Sequence, residues 1–270
     1  MEVVPLTAVI GAEVRGVDAQ EPLDDVTVKE LRGALLDHGV LFLRGQDLSD
    51  EQHVAFAARF GEVNRSPYAD GFLERLEDGP ASKPSADLWH TDMAFLAEPP
   101  DFAVLNMRTA PPAGGDTLWA SLNEVHDRLS PVLQEIVARL EQDVRRARPM
   151  PWLAAGKDGA VVYRPDPDAE GRNHPLVRIH PETGRRALFL CGQFVSGIVG
   201  MHPEESDALL ALLRSRIHDP NVQCRWHWET HDLAIWDERC TNHRALSDHW
   251  PQHRAIRRCT VGGSPVIGPR

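Results

Sequence analysis

The stretch Leu88-Trp89-His90-Thr91-Asp92-Met93 places a histidine and an aspartate two residues apart. On an extended or gently turning backbone such residues point to one face, so imidazole and carboxylate can converge on one cation. A third ligand from a distant strand would complete one face of an octahedron and leave the opposite positions open. That is the 2-His-1-carboxylate arrangement of non-haem iron(II) oxygenases. Alone the tripeptide is weak: with 13 His in the chain, chance gives about one His-x-Asp. Three His-x-Glu pairs compete with it. His180/Glu182 lies in a Pro-Gly turn and reads as a capping or surface feature. His202/Glu204 opens a helix, where acidic residues are ordinary. His227/Glu229, on an expected strand between Trp226 and Trp228, is the serious rival.

The elements that must position these groups are legible from pattern. A strand is expected near Ala8 to Val14, then a helix over Val26 to His38 with Val28, Leu31, Leu35 and Leu36 at helical spacing and Gly39 as its stop. Val40 to Leu43 reads as a buried strand. Ser49 and Gln52 form a capping-box signature for a second helix running to about Phe60. Residues 63 to 88, rich in Pro and Gly, read as a long loop, and loops of that length are usually lids or binding segments. Strands follow near Phe102 to Met107 and Thr117 to Ala120, with helices over Leu122 to Asp127 and Pro131 to Glu141. Residues 148 to 173 read as an insertion. From Pro175 the pattern is strand, turn, strand, a helix over Pro203 to Ile217, and three strands ending near Val261. Many short strands with a few outer helices predict an α+β chain on a β-sandwich or jelly-roll core. Its 270 residues form a single domain by default.

Composition narrows the partners. A net charge of −11 repels phosphate backbones and anionic membrane surfaces, so no nucleic acid and no membrane is expected. The arginine clusters at Arg145, Arg146 and Arg148, and at Arg185 and Arg186, read as solvated faces. There is no apolar run of membrane-crossing length and no leader pattern, which predicts a cytoplasmic protein. Cys191, Cys224, Cys240 and Cys259 form no C-x-x-C pair and read as reduced, buried thiols. A homo-oligomer is left open.

Further motifs surround the His-x-Asp: IGAEVRGVD, HGVLFLRGQ, VAFAARFGEV, WHTDMAF, GGDTLW, HPETGRRALF, HPEESDALLALL and AIWDERCTNHRALSDHWPQHRAIRR. In this order and at these spacings they make the chain resemble the taurine dioxygenase / 2,4-dichlorophenoxyacetate dioxygenase (TauD/TfdA) family of Fe(II)- and 2-oxoglutarate-dependent dioxygenases. The resemblance implies a double-stranded β-helix (jelly-roll) core with flanking helices and an active-site lid over about 63 to 88. It places the iron ligands, which are the catalytic residues, on His90, Asp92 and His243. It places the distal carboxylate of 2-oxoglutarate on Thr117 and Arg254. A hydroxyl and a guanidinium on one carboxylate also make physical sense, giving charge-assisted, nearly bidentate bonds. Arg258 is implied as receptor for the substrate's anionic group and Phe194 as a pocket wall. Arg254 and Arg258 should share one strand face, with Arg257 turned away.

The implied chemistry consumes the cosubstrates 2-oxoglutarate and O2, releases succinate and CO2, and hydroxylates a small anionic organic substrate: a sulfonate, sulfate ester or carboxylate. Hydroxylation at a carbon bearing sulfonate, sulfate or aryl ether oxygen ends in C–S or C–O cleavage. Retention of Asp92 favours hydroxylation over halogenation. The chain departs from the taurine-specific pattern at Val63-Asn64-Arg65-Ser66-Pro67, at Ser85-Ala86-Asp87-Leu88 and at Phe189 to Val195, so a small anion other than taurine is expected. Alternatives are a hydroxylase of an amino acid or other carboxylate in secondary metabolism, and a metal-binding jelly-roll protein without turnover.

Overall fold

The computed structural model describes residues 1–84, 87–149 and 163–269. Ser85 and Ala86 of the expected lid, and residues 150–162 of the expected insertion, lie outside the described residues. The chain opens with a hairpin of β1 (Glu2–Pro5) and β2 (Ala12–Arg15), shifting the expected strand toward its C-terminal end. Thr7 makes the turn between them: its hydroxyl donates to Ile10 O at 2.7 Å and accepts from Ile10 N at 3.0 Å. Such a side chain offers the backbone an alternative to a ladder. Helix α1 (Asp25–His38) starts at Asp24, whose carboxylate accepts from Thr27 N. It ends where Gly39 takes φ 71°, a left-handed conformation that glycine adopts without a Cβ penalty. Strand β3 (Val40–Leu43) and helix α2 (Asp50–Ala58) follow, and the Ser49/Gln52 capping box is formed on both sides.

The expected loop over 63 to 88 is not structureless, because β4 (Glu74–Asp78) lies inside it and pairs with a late strand. After it come β5 (Phe102–Thr109), β6 (Thr117–Ser121), α3 (Leu122–Asp127) and α4 (Pro131–Val137). Helix α4 stops short of the expected Glu141, which instead begins β7 (Glu141–Val144). The insertion contributes β8 (Ala147–Pro149), β9 (Tyr163–Pro165) and β10 (Arg172–Pro175). The expected hairpin is β11 (Val177–Ile179) and β12 (Arg186–Leu188). Then β13 (Val195–Ile198) precedes α5 (Pro203–Ile217). Four strands rather than three complete the chain: β14 (Gln223–Trp226), β15 (Leu233–Asp237), β16 (Thr241–Ala245) and β17 (Arg254–Val261).

Two sheets face one another. The larger runs β1-β2-β3-β15-β5-β17-β4 and the smaller β14-β6-β16. Period-two alternation sorts the large sheet's residues to its two sides. Leu41, Leu43, Phe102, Val104, Leu233 and Ile235 pack with Leu31 and Leu35 of α1 and Phe56 of α2. Val40, Phe42, Ala103, Leu105, Ala234 and Trp236 pack instead with Trp119 and Trp226 of the smaller sheet. There Phe42 stacks on Trp226 with centroids 4.2 Å apart and meets Trp119 edge-on at 5.1 Å. A fully buried side chain of this size contributes about 1.5–3 kcal/mol, so the interior between the sheets is rigid enough to hold a site. This is the jelly-roll layout expected from the strand pattern.

Candidate active site

His90 and His243 sit 153 positions apart in sequence and directly opposite in space. They form an isolated antiparallel bridge: His90 N donates to His243 O and His243 N to His90 O, both at 3.0 Å. Residues opposite in an antiparallel pair present their side chains to the same face, and the two imidazole centroids are 4.2 Å apart. Asp92 completes the group, with Oδ1 at 3.6 Å from His90 Nε2 and 3.9 Å from His243 Nε2. All three are buried, and their candidate ligand atoms lie within 4.8 Å of one another.

The protonation states suit a cation. His90 Nδ1 lies 2.7 Å from Leu88 O, a contact that makes Nδ1 the donor and leaves Nε2 with a free lone pair. Burial, followed by the neighbouring His90, pulls the His243 pKa well below the ordinary imidazole value. Burial would push Asp92 up, but Arg258, then His243 and His90, hold it well below the usual carboxylate range. Asp92 Oδ2 is buried without a hydrogen-bond partner among the described residues. Two imidazoles and one carboxylate with an orphaned oxygen are a donor set that fits a divalent metal. Behind them Glu238, unremarked in the sequence, accepts from Trp236 Nε1 at 2.6 Å and from Asp92 N at 3.1 Å. Burial, reinforced by the negative Asp92, raises its pKa well above the carboxyl norm.

The rival histidines have other work. His180 Nδ1 accepts from Glu182 N and Thr183 N, and Nε2 meets Asp237 Oδ2 at 3.0 Å. The same Asp237 takes Arg239 on both oxygens, so the His180–Asp237–Cys240 group has spent the lone pairs a metal would need. His202 is the N-cap residue of α5. His227 is largely exposed and paired with Asp116 at 2.8 Å.

Beside His243 lies a cavity of ≈ 130 Å³ between the sheets, lined by Thr117, Trp119, Trp236, Arg254, Ile256 and Arg258 among others. Arg254, Ile256 and Arg258 are alternate residues of β17, and Arg257 turns away to Glu77 at 3.7 Å, as the spacing predicts. Arg254 is buried, with Nε donating to Gly115 O at 3.2 Å while Nη2 has no partner among the described residues. Gly115 holds φ 71°, and a Cβ there would fall 3.2 Å from Arg254 Cδ, so the chain can pass this close only as glycine. Thr117 Oγ1 accepts from Trp228 Nε1 at 2.9 Å and faces the same cavity. A small acid placed here meets a hydroxyl and an under-used guanidinium together.

A model of the family described as taurine catabolism dioxygenase TauD, TfdA family matches residues 2–260. The chain belongs to this TauD/TfdA family. It is similar to an alpha-ketoglutarate-dependent sulfate ester dioxygenase of Pseudomonas putida, 35% identical over 99% of this chain and 91% of the relative. An alkylsulfatase of Acinetobacter baylyi is 34% identical over 97% of this chain and 85% of the relative. The crystal structure of a taurine dioxygenase from Burkholderia xenovorans superposes with TM-score 0.84 at 37% identity, covering 99% of this chain and 93% of that one. As a TauD/TfdA member the chain is an enzyme of the 2-oxoglutarate-dependent dioxygenase class.

Within this TauD/TfdA frame, two expected substrate contacts look different in the structure. Phe194 is buried in a core cluster, edge-on to Phe95 at 5.3 Å, and is not among the residues lining the cavity beside His243. Arg258 does line it, but its guanidinium is engaged by Asp92 and by Glu74 of β4. Nothing in the pattern around Glu74 announced it, because its partner is 184 residues away. Arg146, between β7 and β8, lies 5.3 Å from the ring centroid of Tyr68 in the expected lid.

Proposed function

We propose that this chain, as a single domain, is a cytoplasmic Fe(II)- and 2-oxoglutarate-dependent dioxygenase that hydroxylates a small anionic organic substrate. A sulfate ester or sulfonate is the favoured class, with C–O or C–S cleavage following hydroxylation; the names of the Pseudomonas and Acinetobacter relatives support it. The observation that carries the reading is the His90–His243 bridge, which brings both imidazoles and Asp92 together beside a cavity holding Thr117 and the under-bonded Arg254. Free, buried cysteines suit a reducing compartment, and among the described residues no helix is long and apolar enough to cross a membrane.

His90, Asp92 and His243 would hold the iron. Bound there with 2-oxoglutarate and dioxygen, it supplies the oxidative decarboxylation to succinate and CO2 that drives hydroxylation. The protein does the rest. Arg254 and Thr117 fix the distal carboxylate of 2-oxoglutarate, Arg258 orients the substrate's acid group, and the tryptophan-lined interior excludes water.

The test is a 2-oxoglutarate turnover screen over sulfonates, alkyl sulfates, aryloxyalkanoates and amino acids, reading succinate together with sulfite, sulfate or phenol. In parallel, the iron content of His90→Ala, Asp92→Ala and His243→Ala is measured. Loss of iron and of turnover in all three is expected. Normal iron content and activity in any one of them sinks the ligand assignment, and hydroxylated amino acids without cleavage would sink the substrate class.

A further inference from the structure

Arg258 is the cation that the proposed function gives to the substrate's acid group, and two carboxylates already share it. Nη1 donates to Asp92 Oδ1 at 2.8 Å and Nη2 to Glu74 Oε2 at 2.5 Å. Asp92 belongs to the triad, whereas Glu74 touches neither the triad's histidines nor the Thr117–Arg254 pair. It comes from the edge strand β4, is 5% exposed, and has its other oxygen occupied: Oε1 accepts from Ser66 Oγ at 2.7 Å. That hydroxyl in turn accepts from Tyr68 N at 2.9 Å. A buried carboxylate held on both oxygens is costly to place unless its partners compensate it. Here the partners are Ser66 of the lid and the guanidinium of Arg258.

The guanidinium offers an oxyanion one useful edge. With Nη1 committed to Asp92, a bidentate acid group must take the Nε–Nη2 edge. Nε is buried and has no partner among the described residues, while Nη2 is capped by Glu74. One positive and one negative charge face the incoming acid, so the pair attracts it little until the carboxylate leaves.

We propose that Glu74 is a specificity-determining residue: a resident counter-anion on Arg258 that a substrate's acid group must displace from the Nε–Nη2 edge. This rests on the assignment of Arg258 to the acid group. The displaced side chain has room to turn, because Glu74 also lines the open groove of ≈ 830 Å³ between α2 and residues 68–76. Displacement breaks the link through Ser66 to Tyr68, so occupancy of Arg258 is felt in the lid. Acid groups that bind a guanidinium no better than Glu74 does are rejected.

The full chain, loaded anaerobically with Mn(II) and 2-oxoglutarate, is titrated with hexyl sulfate, and with hexanol as uncharged control. Glu74→Gln should bind hexyl sulfate at least tenfold more tightly than the parent, with hexanol unchanged. Ser66→Ala, which leaves Glu74 held on one oxygen, should tighten it by a few fold; it carries the test if Glu74→Gln fails to fold by circular dichroism. Arg258→Gln should abolish hexyl sulfate binding. Unchanged or weaker binding in Glu74→Gln, with Arg258→Gln still abolishing it, overturns the role of Glu74 and leaves Arg258 as receptor. Parental binding by Arg258→Gln, or no binding by any protein, overturns the receptor assignment and this inference with it.

Discussion

Arg254→Met removes a charge while keeping most of the stem, and its effects on stability and on 2-oxoglutarate binding should separate. In the free protein the guanidinium makes one hydrogen bond, at 3.2 Å to Gly115 O, sits 4.0 Å from Asp78, and leaves Nη2 unpaired. Burial pulls its pKa below the usual guanidinium value, with Asp78 and Asp116 only partly opposing. A hydrogen bond from a charged donor contributes about 1.5–3 kcal/mol. Against it stands a desolvation penalty of several kcal/mol for a poorly paired ion. Unfolding stability of the metal-free protein should therefore stay within about 1 kcal/mol of the parent, or rise, which keeps Tm within about 2–4 °C.

The ligand sees the opposite. Removing one partner of a buried charge pair costs about 2–5 kcal/mol, so Kd for 2-oxoglutarate should rise roughly 30- to 4,000-fold at about 1.4 kcal/mol per decade. At 100 times the parental Kd, 2-oxoglutarate adds about 2.7 kcal/mol to the parent and under about 1 kcal/mol to the variant. Thermal shift and calorimetry with the metal-loaded chain read both quantities. Arg254→Lys, which keeps the charge and loses the fork, should fall between. A loss of more than about 2 kcal/mol in the ligand-free variant, or a Kd change under about threefold, would refute the reasoning.

Thr117→Val removes the acceptor of Trp228 Nε1, so it should cost about 1–3 kcal/mol of stability as well as 2-oxoglutarate affinity; adding Trp228→Phe should restore the stability alone, as urea unfolding and calorimetry would show. His53 is fully buried and burial holds its pKa down to about 4, against 6.5 when free. The unfolded chain therefore binds the extra proton first, and about 3 kcal/mol of stability is present above pH 6.5 and lost as pH falls toward 4. Urea unfolding of His53→Gln should show a flatter dependence across that window than the parent, and parallel curves would contradict it. Burial pushes all four thiols up, Cys224 and Cys259 to about 12, so Ellman's reagent should label none in the native protein and four after denaturation.

Where structure follows short-range rules, the sequence was readable. Helix α1 with its Asp24 cap and Gly39 stop, the Ser49/Gln52 capping box and α3 with its Ser121 cap all rest on contacts within a few residues. The failures share a cause. Glu141 was drawn out of a helical pattern because β10 and β13 offer it and its neighbours a ladder on both sides. Residues 74–78, polar and without periodicity, became a strand because β17 had an open edge. Those pairings lie beyond any local window, and strand preference is set by neighbours more than by composition.

For the site the division is the same. By itself the sequence determined the His90-x-Asp92 pair, whose common face follows from a spacing of two, and the shared face of Arg254 and Arg258. It also carried the ordered motifs that mark the family. Only the tertiary structure could show how His90 and His243 meet, through a cross-strand bridge between two distant segments. Only it could take His180 out of contention, by giving its Nδ1 lone pair to a turn and its Nε2 proton to Asp237. And only it could bring Glu74 onto Arg258, because a buried carboxylate is tolerable where a cation meets it, and that meeting is made by folding.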